Sequence, residues 1–263
     1  MSKKKSPEEK EWELVLKKEA RFLEGREKKT DSLLNQKIGG VIPEKLQGAL
    51  DAAFIKAFDL IFDKGTKVIE KTYQKERLEQ DYKINAYARE LRKDRKSLRA
   101  FAKNAGRTGQ AAFLMSGISG IGMGVLGIGL PDIPIFLGMA VKTVYETALH
   151  YGYSYDSEEE RYFILLLIEA SAARGEEALF ASKEADGYIE SGLLPAGYDR
   201  KEQIKKTASV LSRELLYMKF LQGIPVAGIV GGAFDAVYMR QIAAFAGIKY
   251  RKRFLSDQMG KKS

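Results

Sequence analysis

The chain has 263 residues, 45% of them hydrophobic, enough for one large domain or two small ones. Its 44 Lys and Arg residues against 35 Asp and Glu give a formal net charge of +9. With no cysteine and a single histidine, disulfides, thiolate metal sites, haem attachment, cysteine nucleophiles and multi-histidine metal centres are excluded.

The first residues, MSKKKSPEEKEWELVLKKEA, are charged throughout and carry no signal-peptide core. They imply a cytoplasmic protein, free or held at the inner face of a membrane. Pro7 followed by Glu8 and Glu9 suits a first helical turn, where a missing N–H costs nothing and acids meet the positive dipole end. Trp12, Val15, Leu16, Phe22 and Leu23 give this helix a short apolar stripe, ending near Gly25. Pro43 opens a second helix striped by Leu46, Leu50, Ala53, Phe54, Ala57, Phe58, Ile61 and Phe62, with Gly65 as its expected end.

A long helical region then runs to about Ala105. Its apolar stripe (Ile84, Tyr87, Ala88, Leu91, Leu98) lies opposite a basic face. That face draws on nine cations: Lys83, Arg89, Arg92, Lys93, Arg95, Lys96, Arg99, Lys103 and Arg107. Next come 23 residues without an ionisable side chain, Thr108–Leu130. Pro131-Asp132-Ile133-Pro134 breaks the helix, and Asp132 is placed to cap the following one, Ile133 to His150.

Ser157 and Glu160 have capping-box spacing and open a helix from Glu158 to Ala173, whose run Tyr162–Ile168 is apolar on every face and therefore central. Asp199 and Glu202 repeat the spacing before a helix striped by Ile204, Ala208, Leu211 and Leu215. A second glycine-containing apolar segment, Phe220–Ile248, leads into basic residues that include Arg251, Lys252 and Arg253. Strand signals are nearly absent. The expected fold is all-α, a helical bundle with two glycine-rich elements packed together. Residues 1–40 form a charged, mobile arm, 41–255 the main domain and 256–263 a basic tail.

Gly117, Gly120, Gly124 and Gly127 share one helical face, and Gly228 and Gly232 repeat the four-residue spacing. Glycine costs about 1 kcal/mol against alanine inside a helix, so several on one face call for close backbone approach by a partner. The segments are either core helices packed on each other or a pair entering lipid. Basic flanks and the tyrosines Tyr145, Tyr151, Tyr153, Tyr155 and Tyr162 favour a headgroup boundary, whereas Asp235 and Arg240 interrupt the second segment.

Chemistry is sparse. Asp132 and Asp235 are acids in uncharged surroundings, best read as a cap and an ion-paired group, with a paired-carboxylate site as the sharper alternative. Lys142, Glu146 and His150 fall on one helix face, expected to be solvated. No phosphate-binding loop occurs, and no cofactor or metal is implied. A nucleic-acid face on the basic helix is disfavoured, because no helix-turn-helix partner or interleaved aromatics accompany it.

The stretch GIGLPDIPIFLGMAVKTVYETALHYGY, Gly127–Tyr153, resembles the signature of the EcsC family: a glycine-rich run, a Leu-Pro-Asp-Ile-Pro break, an apolar helix and a Tyr-Gly-Tyr ending. Gly223–Arg253 is similar to the family's second glycine-containing element. The similarity covers about Leu46 to Arg253. It implies a bacterial protein whose namesake is encoded beside an ABC-transporter ATPase and its membrane subunit, with no catalytic residues to carry over. The expectation is a non-enzymatic accessory of an ABC-type transport system on the cytoplasmic side of the membrane. Its partners would be anionic lipid and/or a transporter subunit, met through the glycine faces and the cations Arg89, Arg92, Lys93, Lys96, Arg99, Lys103, Arg107, Arg251, Lys252 and Arg253. The alternative is a soluble lipid-handling protein or enzyme with an apolar cavity near Asp132 and Asp235.

Overall fold

Every element among the described residues is helical, as the periodicities predict. The computed structural model describes residues 5–27, 44–92, 94–99, 132–221 and 233–260. Helix α1, Pro7–Glu27, opens with a full capping box: Ser6 N–H donates to Glu9 at 2.6 Å and Glu9 N–H to Ser6 Oγ at 3.1 Å. Helix α2, Glu44–Leu60, buries Leu50, Ala53, Phe54, Ala57 and Phe58. Gly65 does not end it. The chain passes through a π-helical turn, Ile61–Gly65, into α3, Thr66–Glu70, with Thr66 Oγ1 donating to the Ile61 carbonyl at 3.3 Å.

Helix α4, Lys75–Arg92, is shorter than expected. Asp94 starts a new helical turn, accepting from Ser97 N–H at 2.7 Å, and residues 95–99 are helical. Helix α5 spans Asp132–His150, α6 Glu158–Ala172, α7 Gly175–Ser191, α8 Arg200–Leu221 and α9 Ala233–Gly260. Ser157 caps α6 by accepting from Glu160 N–H at 3.2 Å. Asp199 caps α8, accepting from Lys201 N–H at 2.7 Å. Helix α7 carries no large apolar stripe and escapes the sequence analysis; it packs through Ala178, Ala181, Ser182 and Ala185 and ends at left-handed Gly192.

The core is built around α6, where every residue from Tyr162 to Ala172 is buried. It packs against α7, α8 and α9; α8 leans on α2, which leans on α5, and α5 also meets α4 and α9. Helix α9 closes the ring and runs into the expected basic tail as far as Gly260, burying Tyr250, Phe254 and Leu255. The described part of the charged arm, residues 5–27, is integrated too. Helix α1 lies on α7 and α9, with Val15 fully buried and Phe22 against Phe245 at 4.9 Å between ring centres.

Candidate functional site

Lys142, Glu146 and His150 recur every four residues along α5, and none is more than 4% exposed. The solvated face expected for them is therefore buried, because α9, α2 and α4 enclose α5. Lys142 Nζ donates to the Thr72 carbonyl at 3.1 Å and stands 4.0 Å from Glu146. Glu146 Oε2 has no hydrogen-bond partner. Burial pushes this carboxyl up to about 7, against the pull of Lys142. His150 meets Tyr151 edge-on at 5.8 Å.

One turn away a set of tyrosines links this face to solvent. Tyr145 stacks on Tyr155 with ring centres 3.9 Å apart, and burial raises its hydroxyl to about 12. Tyr155 donates to Glu70 at 2.7 Å, so its 2.6 Å contact with Tyr73 is a bond that Tyr73 donates. Lys75 bonds Glu70 at 2.7 Å, which chiefly holds that carboxyl below its ordinary range, and its ammonium lies 4.7 Å from the Tyr155 ring centre. Burial pushes Tyr73 and Tyr155 well up, so both remain neutral hydrogen-bond donors.

The turn after α5 is a Schellman motif: Tyr153 N–H reaches the Ala148 carbonyl and Gly152 N–H the Leu149 carbonyl, both at 2.9 Å. Gly152 has φ 82°, and the Tyr82 ring of α4 occupies the space a side chain there would need. This gives the Tyr-Gly-Tyr ending a physical reason. Between α4 and the turn lies a cleft of about 280 Å³, walled by Tyr82, Tyr153 and Tyr155, with Lys75, Glu79 and Lys83 along one side and Asp156 on the other.

Helix α4 is inverted relative to expectation. Leu78, Tyr82 and Arg89 face inward; Arg89 lies 5.1 Å from the Phe254 ring centre and 3.8 Å from Glu8. Ile84, Tyr87 and Leu91, predicted as part of a core stripe, face outward and are 65–69% exposed, whereas Leu98 of the same stripe is buried. The cations explain the inversion. Glu11 of α1 is fully buried and accepts from Arg95 at 2.6 Å, from Arg99 at 3.1 Å and from Arg251. Seating these carboxylates draws the arginine side of the chain inward.

Arg251, Lys252 and Arg253 are likewise turned into the fold rather than towards headgroups. Lys252 bonds Glu19 at 2.7 Å and Asp186 at 2.8 Å. Buried Lys249 joins the same two acids, at 2.6 Å from Asp186. Arg253 bonds Glu160 at 2.7 Å and lies over the Tyr153 ring at 4.0 Å. Glu160, thus occupied and also accepting from Tyr250 at 2.6 Å, does not complete the expected box with Ser157. Of the predicted basic face, Arg92 and Lys96 are exposed, and Arg99 is exposed while holding Glu11. Tyr145, Tyr151, Tyr155 and Tyr162 are buried, which removes them from any headgroup boundary.

Gly117, Gly120, Gly124, Gly127, Gly228, Gly232, Lys93, Lys103 and Arg107 lie outside the described residues. Asp132 and Asp235 sit in the first turns of α5 and α9, and their side chains also lie outside them. Among the described residues no group of three or more His, Cys, Asp or Glu could hold a metal ion, and no helix is long and apolar enough to cross a membrane.

Uncharacterized protein YdbA of Bacillus subtilis (strain 168) is 26% identical over 162 residues, which is 57% of this chain and 54% of YdbA. The chain thus spans about half the length of that curated relative. No solved structure matches. The family match runs over residues 3–255, so that α1 and most of α9 fall within it together with the buried stripe of α5: the chain belongs to the EcsC protein family.

Proposed function

We propose that this protein is a non-enzymatic, peripheral accessory of an ABC-type transport system, held at the cytoplasmic face of the membrane by the outward side of α4. The observation that carries the reading is the stripe of Ile84, Tyr87 and Leu91, largely exposed to solvent on a helix whose other side is well seated. A folded protein rarely spends three large apolar side chains this way without a partner. Arg92 and Lys96 flank the stripe and are exposed.

Lipid suits this combination. Each basic residue near an anionic leaflet contributes about 1 kcal/mol, and each apolar side chain fully withdrawn from water about 1.5–3 kcal/mol. The sum before association costs is roughly 6.5–11 kcal/mol, enough for reversible, salt-sensitive attachment. The transporter half of the reading rests on family membership and the gene neighbourhood that the resemblance implies.

Vesicle co-sedimentation of the full chain tests it. Binding is expected to vesicles containing phosphatidylglycerol and not to pure phosphatidylcholine, to weaken with salt, and to fall at least tenfold in the Ile84→Ser/Leu91→Ser variant. Equal partition of that variant and the parent onto anionic vesicles would remove α4 as the contact.

A further inference from the structure

We infer that the cleft between α4 and the Tyr151–Asp156 turn binds a phosphoethanolamine group, presented by a membrane lipid. The inference deepens the proposed function and rests on it in one respect, the lipid as source.

The cleft wall formed by α4 carries Lys75, Glu79 and Lys83, one charge per helical turn with alternating sign. Lys75 is committed to Glu70 and to the Tyr155 ring, and stands 3.9 Å from Asp156. Glu79 and Lys83 have the spacing of a helical ion pair, yet no salt bridge joins them among the described residues. They stand ~6 Å apart along the axis, which is the scale of the distance from phosphorus to nitrogen in phosphoethanolamine. A simple anion in this cleft would face Glu79 and Asp156, and a simple cation would face Lys83 and Lys75. A short zwitterion satisfies both, with phosphate on Lys83 and ammonium on Glu79.

The aromatic walls favour the same ligand. Tyr153 donates its hydroxyl to Asp257 at 2.7 Å and Tyr155 to Glu70, so both rings are fixed. Tyr145 and the Lys75 ammonium already cover Tyr155, and Arg253 lies over Tyr153, which leaves the part of the Tyr153 ring that lines the cleft. An ammonium rests well on such a face, as Lys75 on Tyr155 shows. The Glu79 and Asp156 carboxylates accept N–H bonds, which a primary ammonium can donate and a choline group cannot. The lipid source follows from position: Lys83 lines the cleft, and the next residue, Ile84, belongs to the exposed stripe.

Two measurements on the full chain decide it. The first compares vesicles of fixed phosphatidylglycerol content whose remaining lipid is phosphatidylethanolamine or phosphatidylcholine. A preference of about threefold or more for the ethanolamine lipid is expected, and the charge-neutral swap Glu79→Lys/Lys83→Glu should abolish it. The second titrates soluble glycerophosphoethanolamine while following the Gly152 and Ser154 amides by NMR. Saturable shifts are expected, absent in the swap and weaker with glycerophosphocholine. Amide shifts without any vesicle preference would overturn the lipid as occupant. No shifts would overturn the site itself, even where attachment to anionic vesicles persists. Failure to bind any vesicle would defeat the membrane reading, and the amide titration would still decide whether the cleft takes this zwitterion.

Discussion

The ring of Tyr82 fills the space beside Gly152 that any other residue's side chain would occupy, and Gly152 itself lies in the left-handed region at φ 82°. Two separate penalties therefore oppose a side chain at 152. The Gly152→Ala variant should lose about 2–4 kcal/mol of stability in urea denaturation. In a Tyr82→Ala background the steric part disappears, leaving about 1–2 kcal/mol for the backbone. An equal cost in both backgrounds would show that the ring is not what excludes the side chain.

Glu146 gives the protein a pH dependence opposite to that of ordinary carboxylates. Its folded pKa, about 7, lies above the ordinary carboxyl value of 4.5. The folded state thus holds a proton that the unfolded state has already released, and stability falls as pH rises from near 4.5 to near 7. The Glu146→Gln variant removes this penalty and should be more stable than the parent by about 1–3 kcal/mol at pH above 8. Near pH 4 the two should be equal. A variant equally or less stable in alkaline urea melts would mean that Lys142 neutralises the carboxylate fully.

Glu11 behaves in the ordinary direction. Burial alone would raise it, but hydrogen bonds from Arg95 and Arg99 and the charge of Arg251 outweigh that and hold it below 4.5. Its contribution is present at neutral pH and is lost as acid carries the pH down through the folded value. Glu11→Gln leaves three arginines without their shared carboxylate and should cost about 2–4 kcal/mol. Trp12 is the single tryptophan and packs beside this residue's helix turn, so its emission reports on α1. A red shift of Trp12 in acid, reached at higher pH in the variant, is expected; a constant emission maximum would mean that α1 stays seated without Glu11.

The outward stripe of α4 predicts an asymmetry of substitution. Ile84→Ser and Leu91→Ser should each change stability by no more than about 0.5 kcal/mol. Leu78→Ser, on the seated side, should cost about 2–4 kcal/mol. If thermal melts showed the reverse, the helix would be rotated by half a turn.

Much of the helical order was legible in residues. Pro7, Ser157 and Asp199 mark starts through capping chemistry that acts within four residues, and all three begin helices where expected. The all-round apolar run Tyr162–Ile168 could only be central, and α6 is. The Tyr-Gly-Tyr ending entered only as part of the family signature; the structure adds that its Gly152 is a left-handed cap, a φ only glycine holds cheaply. Helix α7 was invisible, since alanines and a serine make most of its contact and only Tyr188 and Ile189, at its end, add large apolar surface.

The functional surface was far less legible. The α4 stripe and the Lys142–Glu146–His150 row both have amphipathic spacing, and both are turned the other way from what spacing suggests. Periodicity fixes the angles between side chains on one helix, but it does not say which arc a neighbour covers. Here carboxylates on α1, distant in sequence, capture Arg89, Arg95, Arg99 and Arg251 of α9, and the packing of α4, α2 and α9 encloses α5. Local chemistry wrote the helices and their ends; long-range charge pairing chose their inner and outer faces, because the free energy of an ion pair depends on what lies opposite rather than on what lies adjacent in the chain.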